Sequence, residues 1–340
     1  MAVQRRRVQV TGRSTFIVSL PKDWALAWGL KPGSEVLLEK MPDGSLLVRP
    51  QADASRREAG RVIRVTGESL NLLVTEVLAA YLAGYNRIEV EYRDADPRVV
   101  AALVEEARKR ALGLEVLEED YGRIVLYTLA GPPTISIGKA FERMVGVTRS
   151  MLANLSQALR RGDEAILESI IERDTVVDKF FLLIMRQLSM LLQGELAPSD
   201  AGVVSLPEIL YKVIAAKSIE RVADHAVMIS SILKETRREA VVSDDLVELY
   251  ESARGIFDHS ARAFLEMDRA SAYKAITLTD TFKAAEEKAR ASILATAYLP
   301  DATAILDSIR RIAAYSRDLV EATINVIELR EAAKAALAKQ

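Results

Sequence analysis

The sequence predicts a multidomain protein: an N-terminal all-β unit, a small α/β domain and a C-terminal all-α bundle. Three observations carry this. The chain has 340 residues, more than one hydrophobic core usually holds. Its first fifty residues are short alternating runs broken by turn signals, and from about Ile137 onward almost everything repeats with helical period. Half the residues are hydrophobic and 28% are charged, so folded cores are affordable and wholesale disorder is not expected.

In the N-terminal block, Arg7 to Val10, Thr15 to Leu20, Glu35 to Glu39 and Ser45 to Arg49 read as strands. Gly12 permits positive φ after the first run, Pro32-Gly33 suits a turn, and Asp43-Gly44 between apolar runs signals a hairpin. Pro21 to Gly29 reads as one short helix with Trp24 and Trp28 on one face. A block covering residues 1–50 buries too little surface to stand alone, so a homodimer through this unit is expected. Residues 51–60 lack strand periodicity and read as a linker.

Residues 61–130 then run β-α-β-α-β-β. Arg61 to Val65, Arg87 to Tyr92, Leu114 to Glu118 and Arg123 to Leu129 are the strands, and Glu68 to Ala83 and Asp96 to Leu112 the helices. The segment has no glycine-rich phosphate loop and no catalytic triad, which suits a spacer or dimerisation role.

Gly131-Pro132-Pro133 breaks the chain before the bundle, residues 138–337. Six helices are expected: Lys139 to Arg160, Asp163 to Leu192, Pro207 to Glu235, Ser243 to Glu266, Arg269 to Tyr298 and Ala302 to Leu337. Ser218 to Asp224 resembles Ser308 to Ala314 at a constant offset, so the bundle reads as two three-helix repeats, 139–235 and 243–337.

Composition narrows the chemistry. With 46 basic and 48 acidic residues the net charge is -2, so any anion-binding footprint must be local. There is no cysteine and there are two histidines, so a metal would be held mainly by carboxylates. No apolar run is long enough to span a bilayer and no signal-type block opens the chain; a cytoplasmic protein is expected.

Two constellations stand out. Asp174 and Asp178 are four residues apart on the second bundle helix, as are Glu220 and Asp224 on the third, which puts each pair on one helical face. Spacing leaves two readings. The carboxylates either converge inward on a shared cation or lie on solvated faces beside Lys179 and Arg221. In the second repeat Arg310 stands for Glu220 and Ala314 for Asp224, and Asp280 is followed by Ala284, so no matching second site is expected. His225 and His259 have no ligand neighbour at helical spacing and read as ordinary residues. The other constellation is the basic cluster Arg5, Arg6, Arg7 and Arg13. It lies in a block with eight basic and four acidic residues, which suits phosphate-backbone contacts or a solubilising tail.

Two resemblances sharpen this. Gly12-Arg13-Ser14, Ser19-Leu20-Pro21-Lys22, Gly29 to Ser34 and Gly44 to Val48 resemble the AbrB/SpoVT swapped-hairpin DNA-binding domain. The resemblance implies two interlaced chains contacting DNA through Arg5, Arg6, Arg7, Arg13 and Lys22. The bundle resembles PhoU, the phosphate-uptake regulator, through Asp174 to Asp178 and through Lys217 to Ala226, which contains Glu220-Arg221-Val222-Ala223-Asp224. That resemblance implies a divalent or ferric metal ion held by carboxylates. Together they imply a DNA-binding regulator of phosphate homeostasis, of the archaeal PhoU-like type. The alternative is an interaction protein docking on a phosphate transporter or sensor kinase, with the hairpin unit serving dimerisation alone. A carboxylate-bridged metal enzyme is the third reading, and no base beyond the proposed ligands is positioned for it, so no catalysis is expected.

Overall fold

The computed structural model describes residues 3–12, 14–40, 44–50, 60–67, 69–93, 96–129, 135–199, 201–236, 241–296 and 299–337. The chain divides into two compact units, Met1–Arg57 and Glu58–Gln340.

In the first unit, β1 (Gln9–Thr11) and β2 (Thr15–Ile17) form one antiparallel hairpin, and β3 (Val36–Lys40) and β4 (Leu46–Pro50) a second. Gly12 takes φ +64 at the first turn, as expected from its place after the first apolar run. Between the hairpins lies α1 (Lys22–Ala27), followed by a turn closed from Ser34 N–H to the Lys31 carbonyl at 2.9 Å, with Gly33 at φ +89. Pro32 followed by a positive-φ glycine is the chemistry of a type II turn. Among the described residues of this unit none is buried; Phe16 is 74% exposed and Leu37 61%. Arg13, Asp43 and the expected linker residues 51–59 lie outside the described residues.

The second unit opens with β5 (Arg61–Arg64), α2 (Leu70–Leu82), β6 (Arg87–Glu91), α3 (Pro97–Arg110), β7 (Leu114–Asp120) and β8 (Arg123–Thr128). The strands form one sheet in the order β5-β6-β8-β7, with β5 and β6 parallel and the other pairs antiparallel. Alternation decides its faces. Ile63, Ile88, Val90, Ile124 and Leu126 are buried with Leu73, Val77 and Leu103 of the two helices. On the opposite side Glu89 is held by Arg87 at 2.8 Å and Arg123 at 2.6 Å.

The bundle comprises α4 (Ile137–Arg161), α5 (Glu164–Leu192), α6 (Glu208–Glu235), α7 (Asp244–Glu266), α8 (Arg269–Thr296) and α9 (Leu299–Leu337). Helices α4 to α6 form one three-helix repeat and α7 to α9 the other, joined where α6 lies along α9 and α4 along α7. The ends follow local rules. Ser136, Asp163 and Ser243 cap N-termini through their side chains, and Gly162 ends α4 in the left-handed region at φ +71. Pro300, read from sequence as a break before Ala302, instead sits in the first turn of α9. A proline is tolerated there because the missing N–H has no helical acceptor to lose.

Residues 61–130 and the bundle lie within the one compact unit Glu58–Gln340. The physical reason is Arg186 of α5, 1% exposed, whose guanidinium enters the C-terminal end of α2. It donates to the carbonyls of Tyr81, Gly84 (2.9 Å) and Tyr85 (3.0 Å), and lies 4.8 Å from the centre of the Tyr81 ring. A cation at a helix C-terminus meets carbonyls that lack helical donors.

Candidate functional site

Helices α5 and α6 bring the acidic pairs together. One oxygen each from Asp174, Asp178 and Asp224 lies within 4.8 Å of the others, and all three side chains are half-buried. The two acidic pairs thus approach one another across α5 and α6, through these three side chains. Around them the helices are fixed by Val177, Ile219, Val222 and Ala223, all fully buried, which leaves the carboxylates on the adjoining faces.

Such an arrangement is electrostatically costly without a counter-charge. The Asp174 carboxyl is pushed up to about 7, first by burial and then by the charges of Asp178, Asp224 and Glu220. Asp178 is raised by burial and by Asp224, against the opposing pull of Arg110 and Lys217. Asp174 Oδ1 is buried without a hydrogen-bond partner.

Glu220 behaves differently from the sequence expectation of four converging ligands. It is 8% exposed, but Oε1 accepts from Lys217 Nζ at 2.6 Å, and the group of three excludes it. Its Oε2 is 3.6 Å from Arg221 Nε and has no hydrogen-bond partner. Burial is the main cause raising its carboxyl, partly offset by Lys217. Asp224 also accepts from Arg221, Nη1 to Oδ2 at 2.9 Å. The partner Arg221 foreseen for a solvated pair is thus present, at the rim of an inward cluster. Lys179 forms no ion pair among the described residues.

An all-oxygen set suits a hard cation such as Mg2+, Mn2+, Ca2+ or Fe3+. Three oxygens this close, with Asp174 Oδ1 buried and without a donor, fit one ion. His225 points elsewhere, its ring stacked 5.9 Å from Tyr315 of α9, as its offset of one residue from Asp224 requires. Sequence reasoning missed Lys217, although its i,i+3 spacing to Glu220 was visible. It also missed Arg110, which comes from α3 and has no local signal.

In the first unit Arg5, Arg6 and Arg7 are exposed in a segment preceding β1, which starts two residues later than the expected strand. Arg6 Nη2 donates to Gln4 Oε1 at 2.6 Å. Lys22 is exposed at the first residue of α1. Arg13 lies outside the described residues.

Comparison with known proteins meets these features at both ends of the chain. Residues 141–233 match the family model of the PhoU domain, and residues 9–55 that of antidote-toxin recognition MazE, a bacterial antitoxin. The resemblances drawn from the sequence, to PhoU and to the AbrB/SpoVT domain, are met by the PhoU match and by the MazE/AbrB-type antitoxin match. Among solved structures, PhoU from Pseudomonas aeruginosa is similar at 16% identity and a TM-score of 0.50, covering 56% of this chain and 95% of that one. PhoU from Streptococcus pneumoniae aligns at 15% identity and a TM-score of 0.47, covering 56% and 92%. No curated protein matches the chain.

Proposed function

We propose that this chain, with a PhoU domain match in its bundle and a MazE-type match in its N-terminal unit, is a DNA-binding regulator of phosphate uptake. The PhoU match supports phosphate-transport regulation, and the MazE/AbrB-type match supports DNA binding. The observation that carries the reading is the first unit itself. It couples the exposed Arg5, Arg6, Arg7 and Lys22 with apolar strand residues, such as Phe16 and Leu37, that stand exposed among the described residues. A second copy interlacing with the first buries those strands and doubles the basic surface presented to a phosphate backbone.

In this reading Asp174, Asp178 and Asp224 hold a divalent or ferric ion, and the buried Glu220 beside them supplies a further oxygen. A bound ion neutralises the carboxylates and ties α5 to α6. The role is regulatory rather than catalytic, in keeping with both matched families. Among the described residues no helix is long and apolar enough to cross a membrane, and a cytoplasmic location goes with the DNA reading.

A second reading, docking on a phosphate transporter or sensor kinase, is favoured by one feature. Leu210 and Ile214 are exposed four residues apart at the start of α6, after the exposed Leu206 in the preceding turn. DNA titration separates the two. Intact protein should bind duplex with affinity that falls steeply with salt, and the variant with Arg5, Arg6, Arg7 and Arg13 changed to Ala should lose most of it. Unchanged or salt-insensitive binding rejects the DNA reading.

A further inference from the structure

The two bundle repeats differ in how their facing acidic side chains are neutralised. At an offset of ninety residues Lys217 becomes Asp307 and Glu220 becomes Arg310, so the i,i+3 ion pair is kept with its charges exchanged. Across from it α8 supplies Glu286 and Arg290. Arg290 Nη2 lies 3.4 Å from Glu286 Oε1 and 3.2 Å from Asp307 Oδ1. Arg310 Nε approaches the same two oxygens, at 4.0 and 3.8 Å. Two carboxylates therefore share two guanidinium groups, and the network is neutral.

The first repeat is not neutral. Asp174, Asp178, Glu220 and Asp224 face the cations Lys217 and Arg221, with Arg110 acting on Asp178 from α3. It also leaves buried oxygens of Asp174 and Glu220 without donors, whereas Glu286 Oε1 and Asp307 Oδ1 both accept from Arg290 Nη2. A guanidinium held by two carboxylates does the electrostatic work of an ion without needing one from solution.

We infer that Arg290 and Arg310 are built-in substitutes for a metal ion in the second repeat, so that α8 and α9 are held together independently of metal while α5 and α6 depend on it. The inference rests on the reading that the first repeat holds an ion.

The test uses the intact chain stripped with a chelator, with MnCl2 as the probe. Hydrogen exchange on the unaltered protein should show Mn2+ slowing exchange in α5 and α6 and leaving α8 and α9 unchanged. Slowing around residues 286–310 overturns the inference. No response anywhere rejects the first-repeat reading, and the inference is then judged on variants. Arg310→Glu, made together with Arg290→Gln and Asp178→Ala, gathers Glu286, Asp307 and the new carboxylate without a guanidinium between them. It should acquire a Mn2+-dependent rise in melting temperature and bind about one equivalent of Mn2+. Arg310→Gln with Arg290→Gln and Asp178→Ala should acquire neither. If the Glu variant gains no Mn2+ response, or the Gln variant gains the same one, the arginine does not stand in for an ion. Should the Glu variant fail to fold, the exchange experiment on the unaltered chain decides.

Discussion

Arg186 Nη2 donates to Asn86 Oδ1 at 2.7 Å, which fastens the strand-bearing segment to the helix that carries Asp174 and Asp178. The guanidinium has no carboxylate in hydrogen-bond contact among the described residues; its acceptors are the amide oxygen of Asn86 and the carbonyls of Tyr81, Gly84 and Tyr85. Removing it strands several buried acceptors together. Arg186→Ala should therefore cost about 3 kcal/mol or more in denaturant unfolding. Arg186→Lys should recover only part, since an ammonium lacks the planar fork that spans these acceptors. Equal stability of all three proteins would show the contact to be dispensable.

The carboxyl cluster fixes a pH dependence. Asp174 titrates near 7 in the fold against about 4 when unfolded, and burial raises Asp178 and Glu220 in the same direction. The native state then binds protons more tightly than the unfolded state, so stability falls as pH rises from about 4 to about 7. Chelator-treated protein should show this fall in melting temperature. Asp174→Asn should flatten it, and Mn2+ should oppose it at the upper end, where the carboxylates are free to ligate.

The buried ion pair between Glu208, fully buried, and Arg330 at 2.9 Å ties the start of α6 to the end of α9. Glu208 also accepts from the N–H groups of Val204 (3.0 Å) and Ser205 (3.2 Å). Arg330→Met leaves that carboxylate buried with one partner fewer and should cost about 3 kcal/mol, read as a shift in denaturation midpoint. Glu208→Gln should cost less, because an amide oxygen still accepts from both N–H groups.

Phe16 should report the state of the first unit. It is 74% exposed in a single chain, so Phe16→Asp is harmless to a monomer. In an interlaced dimer the same change buries a charge and should halve the mass seen by sedimentation, with the bundle's helical signal unchanged.

For the basic arm, the slope of log affinity against log salt should fall by about 0.9 for each phosphate contact removed. Arg5→Ala, Arg6→Ala and Arg7→Ala, tested singly, would rank the three. Unaltered slopes for all three would place the contacts elsewhere.

The sequence was most informative where the governing interactions are local. Turn residues such as Pro32-Gly33, caps such as Asp163 and Gly162, and the 3.6-residue apolar period each act within a few residues, so the helices and most strands were legible within one to three positions. The pairs Asp174 with Asp178 and Glu220 with Asp224 were legible for the same reason. Pro300 misled because a proline that ends one helix and one that begins another look alike in sequence.

Sequence alone thus determined the elements, the two-repeat plan and which faces bear charge. The tertiary structure decided which charges meet. Three aspartates of α5 and α6 converge, Glu220 turns to Lys217, Arg186 of α5 fastens the end of α2, and Arg290 bridges Glu286 and Asp307. These outcomes depend on the rotation and approach of helices distant in sequence, which are set by packing their apolar faces. A side chain's own neighbours in the chain carry no record of that packing.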